Sequence, residues 1–292
     1  LPKLGAHMSI AGGVDRAIER GHSIGCEAIQ IFTKSSNQWR AAPLSDDVVE
    51  RFHANRRETG IGPVVGHDTY LINLASPDPA LWQKSVDAFV VEMERAQRMR
   101  LPYLVTHPGS HTGSGEEAGI RRVAEALDEI HARTPHVETM ILMEITAGQG
   151  TSLGCTFEQL AEMIGLARRS ERLGICFDTN HAFAAGYDFR TPETYAATFE
   201  AFDRILGLHR LRVFHLNDSK RDLGSRVDRH EHIGKGFIGL EAFRLLLNDP
   251  RFADRPMILE TPKGPDLAED VENLRVLRSL LEERATAEGN RR

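Results

Sequence analysis

Cysteine is scarce in this 292-residue chain: Cys26, Cys155 and Cys176 are odd in number and unclustered. That excludes a disulfide framework and a thiolate-built zinc site, and it fits a reducing compartment. Long apolar runs are missing too. None approaches the ~20 residues needed to cross a bilayer, and the opening LPKLGAHMSI enters a strand without a charged-then-apolar signal segment. The sequence therefore predicts a cytoplasmic protein. No Pro/Gly/Ser-rich linker and no low-complexity tract breaks the chain, so a single domain over residues 1–292 is expected. Excess basic charge is also absent: the formal net charge is −6, which by itself does not describe a nucleic-acid binder.

What the chain has is a series of apolar, β-branched runs that each stop at a side chain able to bind metal. PVVGH, PYLVTH, TMILME, LGICFD, LRVFH and PMILE end at His67, His107, Glu144, Asp178, His215 and Glu260. A parallel strand buried on both faces reads as continuous Val/Ile/Leu, so a polar residue at its end lies at the rim of a sheet. The ends are 40, 37, 34, 37 and 45 residues apart, room for one strand, one helix and two loops each. Two earlier runs, KLGAH (3–7) and EAIQIF (27–32), bring the count to eight. The fold class expected is α/β, a (β/α)₈ TIM barrel with its site at the C-terminal ends of the strands. An open sheet would spread six such ends along a line. Amphipathic stripes over 79–100, 115–133 and 266–284 form the outer helices. Thr156 with Gln159 reads as a capping box, and Thr191-Pro192 as another helix start. The terminal ATAEGNRR is polar and expected to fray.

Two further clusters lie in loops: His181, just beyond Asp178, and Asp228 with His230. Nine candidate ligands result, five imidazoles and four carboxylates. Such donors suit Zn²⁺, with Mn²⁺ or Fe compatible, and their number calls for two or three ions. His7, His111 and His232 read as supporting or structural, and His22, His53, His131, His136 and His209 as solvent-facing. Paired divalent ions favour phosphoester hydrolysis and also permit sugar isomerisation; a lesion-binding zinc barrel without turnover is the non-enzymatic alternative.

The segments GAHMS (5–9), QWRAAPL (38–44), HDTYLINL (67–74), HPGSH (107–111), EITAGQG (144–150), DTNHAFAAGYD (178–188), HLNDSK (215–220), GSRVDRHEHIG (224–234) and ILET (258–261) together resemble the endonuclease IV family of zinc-dependent apurinic/apyrimidinic endonucleases. The resemblance covers essentially the whole chain. It implies three zinc ions: one held by His67, His107 and Glu144; a second by Glu144, Asp178, His215 and Glu260; a third by His181, Asp228 and His230. It also implies hydrolysis of the phosphodiester 5′ to an abasic site in double-stranded DNA, leaving a 3′-hydroxyl and a 5′-deoxyribose phosphate, with Glu144 and Glu260 catalytic and Glu260 assisting deprotonation of the attacking water. Trimming of blocked 3′ ends and a monomeric state are further expectations.

For DNA contact, Lys34, Asn37, Arg40, Lys220, Arg221, Arg226, Arg229 and Lys235 fall in loops after the second and seventh strands, on one rim, where cations can neutralise phosphates. Tyr70 and Leu71, beyond the His67 strand, are candidate wedges between bases, while Trp39 anchors its own loop. Three departures from the family pattern stand out: Asn37 where a basic intercalating residue occurs, Ile145 in place of a polar residue after the bridging glutamate, and Lys235 at an often acidic position.

Overall fold

A computed structural model of the chain describes residues 1–282; positions 283–284 of the last expected helix and the terminal ATAEGNRR lie outside the described residues. Eight parallel strands close into a barrel: β1 (Lys3–His7), β2 (Ala28–Phe32), β3 (Val64–His67), β4 (Tyr103–Thr106), β5 (Met140–Glu144), β6 (Leu173–Asp178), β7 (Leu211–Leu216) and β10 (Pro256–Leu259). Neighbours in sequence are neighbours in the sheet, and β1 pairs with both β2 and β10 to complete the ring. Gly5 makes that closure possible, since a Cβ there would sit 1.6 Å from the Ala28 carbonyl oxygen.

The short α6 (Thr179–Ala185) follows β6 directly at the barrel mouth, while the outer ring comprises α1 (Val14–Ser23), α2 (Asp46–Thr59), α3 (Pro79–Arg98), α4 (Glu116–Arg133), α5 (Phe157–Leu166), α7 (Pro192–Ile205), α8 (Leu240–Asn248) and α9 (Ala268–Ser279). Their apolar stripes face the outside of the barrel. Phe199 and Phe202 of α7 meet Phe177 of β6 and Phe214 of β7, each buried ring contributing up to ~3 kcal/mol. The loop between β7 and α8 carries an antiparallel ribbon, β8 (Asp218–Ser219) with β9 (His230–Glu231).

Several expectations need correction. The helix expected over 79–100 ends at Arg98, and that over 266–284 spans Ala268–Ser279. His107 and Glu260 stand one residue beyond their strands rather than at the last position. The capping box at Thr156 is half formed: its hydroxyl accepts from the Gln159 amide, but the Gln159 side chain instead accepts from the amides of Gly154 and Cys155. Thr191 does form a full box, with Thr194 as its partner. His131 is not solvent-facing. It is 2% exposed on the inner face of α4, with neither ring nitrogen hydrogen-bonded among the described residues. His53 is half-buried, near the Arg98 carbonyl; His22, His136 and His209 are exposed.

Candidate metal centre

Alternation along a barrel strand sends every second side chain inward. One set of inward residues is apolar and fully buried: Ala28, Val65, Val105, Leu142, Cys176, Val213 and Ile258. Moving two residues toward the C-terminal end of each strand reaches Gln30, His67, His107, Glu144, Asp178, His215 and Glu260, with His7 as the corresponding position of β1. All eight strands thus end their inward face in a polar side chain, directly above an apolar floor. The site is built by strand parity, and six of its members are the residues at which the apolar runs stop.

The donor atoms converge. Those of His67, His107 and Glu144 lie within 4.8 Å of one another, as do those of Glu144, Asp178, His215 and Glu260, and those of Asp178, His181 and His230. Glu144 Oε2 is 3.4 Å from Nε2 of both His67 and His107. His215 Nδ1 is 3.2 Å from Glu144 Oε1 and 3.1 Å from Glu260 Oε2. Asp228 brackets two rings, its oxygens 3.2 Å from His181 Nε2 and from His230 Nε2. Tetrahedral zinc with bonds of about 2.0–2.1 Å places adjacent donors roughly 3.3 Å apart.

Hydrogen bonds on the far side of each ring decide what these short separations mean. Nδ1 of His67, His181 and His230 meets the backbone carbonyl of Asp68, Ile145 and Glu260 respectively. A carbonyl only accepts, so each Nδ1 carries hydrogen and each Nε2 can present a lone pair to the centre. His215 does the reverse, donating from Nε2 to Gln30 Oε1 at 2.8 Å and turning Nδ1 inward. Lone pairs therefore face carboxylate oxygens, an arrangement that calls for a cation or proton between them. Among the described residues, both Glu144 oxygens, His215 Nδ1 and His230 Nε2 are buried without a hydrogen-bond partner, which is what a metal-binding set looks like from its protein side. Burial opposes charge on His67, but Glu144 outweighs it and raises the imidazole to about 10; burial opposes His230 and Asp228 overcomes it, to about 9. Glu144, despite burial, is held well below the ordinary carboxylate range by His215 and His107.

Sequence reasoning missed Gln30, Asn217 and Asn180. Gln30 Nε2 donates to Glu260 Oε1 at 2.6 Å while its Oε1 holds His215, so one amide orients two candidate ligands. Asn217 donates to Asp178 Oδ2 at 2.7 Å and accepts from the Glu260 amide, and Asn180 donates to Asp228. Gln30 had a readable signal, a lone polar residue at the inward parity of an otherwise apolar strand. Asp178 also caps α6, accepting from the His181 amide. Ile145 supplies a hydrogen bond after all, through its backbone carbonyl. His7 lies 3.5 Å from Glu260; His111 accepts from the Gly115 amide, and His232 from Asn273.

Above the centre, Tyr70 is 63% exposed and lines two clefts. One, of about 430 Å³, runs past His67, His107, Gln149 and Arg229; the other, of about 650 Å³, past His7, Phe32, Glu260 and Lys263. Leu71 is half-buried beside it. Asn37, Arg40, Lys220, Arg221, Arg226, Arg229 and Lys235 are exposed; Arg226 turns its guanidinium toward Cys155. Lys34 departs from expectation: it is buried, its ammonium bound to the Gln38 carbonyl and 3.5 Å from Glu92, so it is no free rim charge. Trp39 packs on the core under Lys84.

Comparison with known proteins agrees with this geometry. The family model for xylose isomerase-like TIM barrels matches residues 18–280. A probable endonuclease 4 of Chloroflexus aggregans is 58% identical over 96% of this chain and 98% of its own. The chain belongs to the endonuclease IV family. Another probable endonuclease 4, from Geobacter sulfurreducens, is 53% identical over 98% of this chain and 96% of its own. The crystal structure of endonuclease IV from Thermus thermophilus superposes with a TM-score of 0.86 at 42% identity, covering 97% of this chain and all of that one. A D-tagatose 3-epimerase-like protein, at 20% identity and a TM-score of 0.73, shares the fold alone. Among the described residues of this endonuclease IV homologue, no helix is long and apolar enough to cross a membrane.

Proposed function

We propose that the protein is a DNA-repair endonuclease that hydrolyses the phosphodiester 5′ to an abasic site in duplex DNA, leaving a 3′-hydroxyl and a 5′-deoxyribose phosphate. The observation that carries this reading is the convergence of five imidazoles and four carboxylates at one mouth of the barrel, in a member of the endonuclease IV family. His67, His107 and Glu144 would hold one zinc, Glu144, Asp178, His215 and Glu260 a second, and His181, Asp228 and His230 a third, with Asp178 near enough to serve the last two groups. Bound divalent ions supply Lewis acidity that polarises the scissile phosphate and makes water a competent nucleophile near neutral pH.

The remaining work falls to the chain. Glu260, oriented by Gln30 and near His7, is placed to take the proton of the attacking water. The apolar floor beneath excludes bulk water and strengthens every charge interaction above it. Three divalent ions would turn four carboxylates into a net positive mouth, reversing locally the chain's overall acidity, and Arg40, Lys220, Arg226 and Arg229 extend that field along the rim. Tyr70, standing between the two clefts, is the side chain best placed to enter the base stack beside the lesion; the same geometry serves removal of groups blocking a 3′ end. A duplex bearing one abasic analogue, assayed before and after prolonged chelation, tests this. Nicking immediately 5′ to the lesion that disappears on chelation and returns with Zn²⁺ or Mn²⁺ supports it; binding without nicking in the metal-loaded protein overturns it.

A further inference from the structure

Glu92 is a fully buried carboxylate that lies outside the metal centre and has no part in the chemistry above. Glu92 sits mid-way along α3, facing inward beneath the loops that follow β2 and β3. Its Oε2 accepts from the Thr33 hydroxyl, its Oε1 accepts from the Thr69 amide at 3.0 Å, and the Lys34 ammonium lies 3.5 Å away. Thr69 immediately precedes Tyr70, while Thr33 and Lys34 open the loop that bears Asn37 and Arg40. The two loops are also tied to each other, the Thr69 hydroxyl donating to the Ser36 carbonyl, while within the 33–40 loop Lys34 donates to the Gln38 carbonyl at 2.6 Å. One turn further along α3, Arg95 holds the Thr33 and Ala42 carbonyls. A buried ion pair rarely adds much stability over an apolar replacement, but it does fix geometry, because leaving either charge unpaired is costly.

We propose that Glu92 is a positioning residue for lesion recognition: it locks the Tyr70 loop to the 33–40 loop so that the aromatic wedge and the rim contacts meet DNA as one rigid unit. Among the described residues its side chain bonds only to Thr33, Lys34 and Thr69, none of them a candidate ligand. The proposal rests on the functional reading above. It separates binding from chemistry, since Tyr70 sits over the centre while every bond Glu92 makes is to the loops.

The test uses Glu92→Gln, which keeps the shape and removes the charge, and Thr33→Val, which deletes one bond while leaving the ion pair intact. In metal-loaded Glu92→Gln the KM for the abasic duplex should rise about tenfold with kcat little changed, while hydrolysis of bis(p-nitrophenyl) phosphate stays within about twofold. Thr33→Val should show the same pattern at about threefold. Hydrogen exchange, which needs no substrate, should quicken together at 35–38 and 69–71 in both variants and stay unchanged at 141–144. Wild-type KM and wild-type exchange in folded variants overturn the proposal, as does loss of small-diester hydrolysis with KM intact. If Glu92→Gln does not fold, Thr33→Val decides. If the wild type nicks no abasic duplex, the functional reading fails, and the exchange data alone judge whether Glu92 couples the loops.

Discussion

Two sets of inward side chains, two residues apart on the same strands, make opposite use of the barrel interior. The lower set, Ala28 through Ile258, is apolar and needs nothing from its neighbours. The upper set, from Gln30 to Glu260, concentrates carboxylates and imidazoles that are tolerable in a buried place only because each has a partner or a cation to face. The difference shows that burial alone does not decide what a barrel position can hold. The polar layer is sustained by hydrogen bonds within and around it: the Asp68 carbonyl holds His67, the Asn217 amide holds Asp178, and Gln30, itself in the layer, ties His215 to Glu260.

The comparison is broken most severely by moving a charge down one layer. Val213→Asp places a carboxylate where no cation or donor reaches, and should cost on the order of 5 kcal/mol, enough to leave little folded protein by circular dichroism and denaturant titration. Glu144→Ala attacks the upper layer at its shared member. Two ions would lose a ligand, cleavage of an abasic duplex should vanish, and elemental analysis should show fewer bound metals; wild-type nicking would refute the bridging role. Gln30→Leu probes the support rather than the ligands, freeing both His215 and Glu260. Metal affinity or turnover should fall about 10–100-fold with the fold intact, and a value within twofold of wild type would show that the amide is dispensable. Tyr70→Ala tests the rim instead of either layer. Preference for damaged over intact duplex should drop by ~1–3 kcal/mol in a competition assay while zinc content stays constant.

The smallest effect concerns a second contrast, between two buried imidazoles. His67 among carboxylates is raised to about 10, whereas burial, then Arg172 and Arg169, lower His131 to about 4. The unfolded chain binds the His131 proton near pH 6.5, so between there and pH 4 it holds more protons than the folded protein at this site. Stability from His131 is therefore full above pH 6.5 and is lost as pH falls toward 4. His131→Leu should make the fall of Tm from pH 7 to 4.5 shallower than in the wild type; parallel curves would deny the assignment.

The barrel was legible because its strands advertise themselves twice, by continuous β-branched runs and by regular spacing with a ligand-type residue at the end. His181, Asp228 and His230 could be nominated from residue type, and the ribbon of β8 and β9 then carries His230 to the mouth. Lys34 illustrates the limit. Its place in a polar loop after β2 read as an exposed cation, and only the arrival of Glu92 from α3, 58 residues later, shows it buried. His131 misled for a related reason, since α4 presents it at the edge of an otherwise ordinary apolar stripe.

Periodicity and residue type are local properties written along the chain, and they sufficed for the eightfold alternation of strand and helix, for nominating nine candidate donors and for the family resemblance. Only the tertiary structure decided which nitrogen of each imidazole faces the centre, that Gln30 links two ligands, and that Lys34 serves the loops rather than the rim. Those outcomes depend on what a side chain meets across the barrel, and a hydrogen bond such as that between Gln30 and Glu260, 230 positions apart, is set by the closure of the fold.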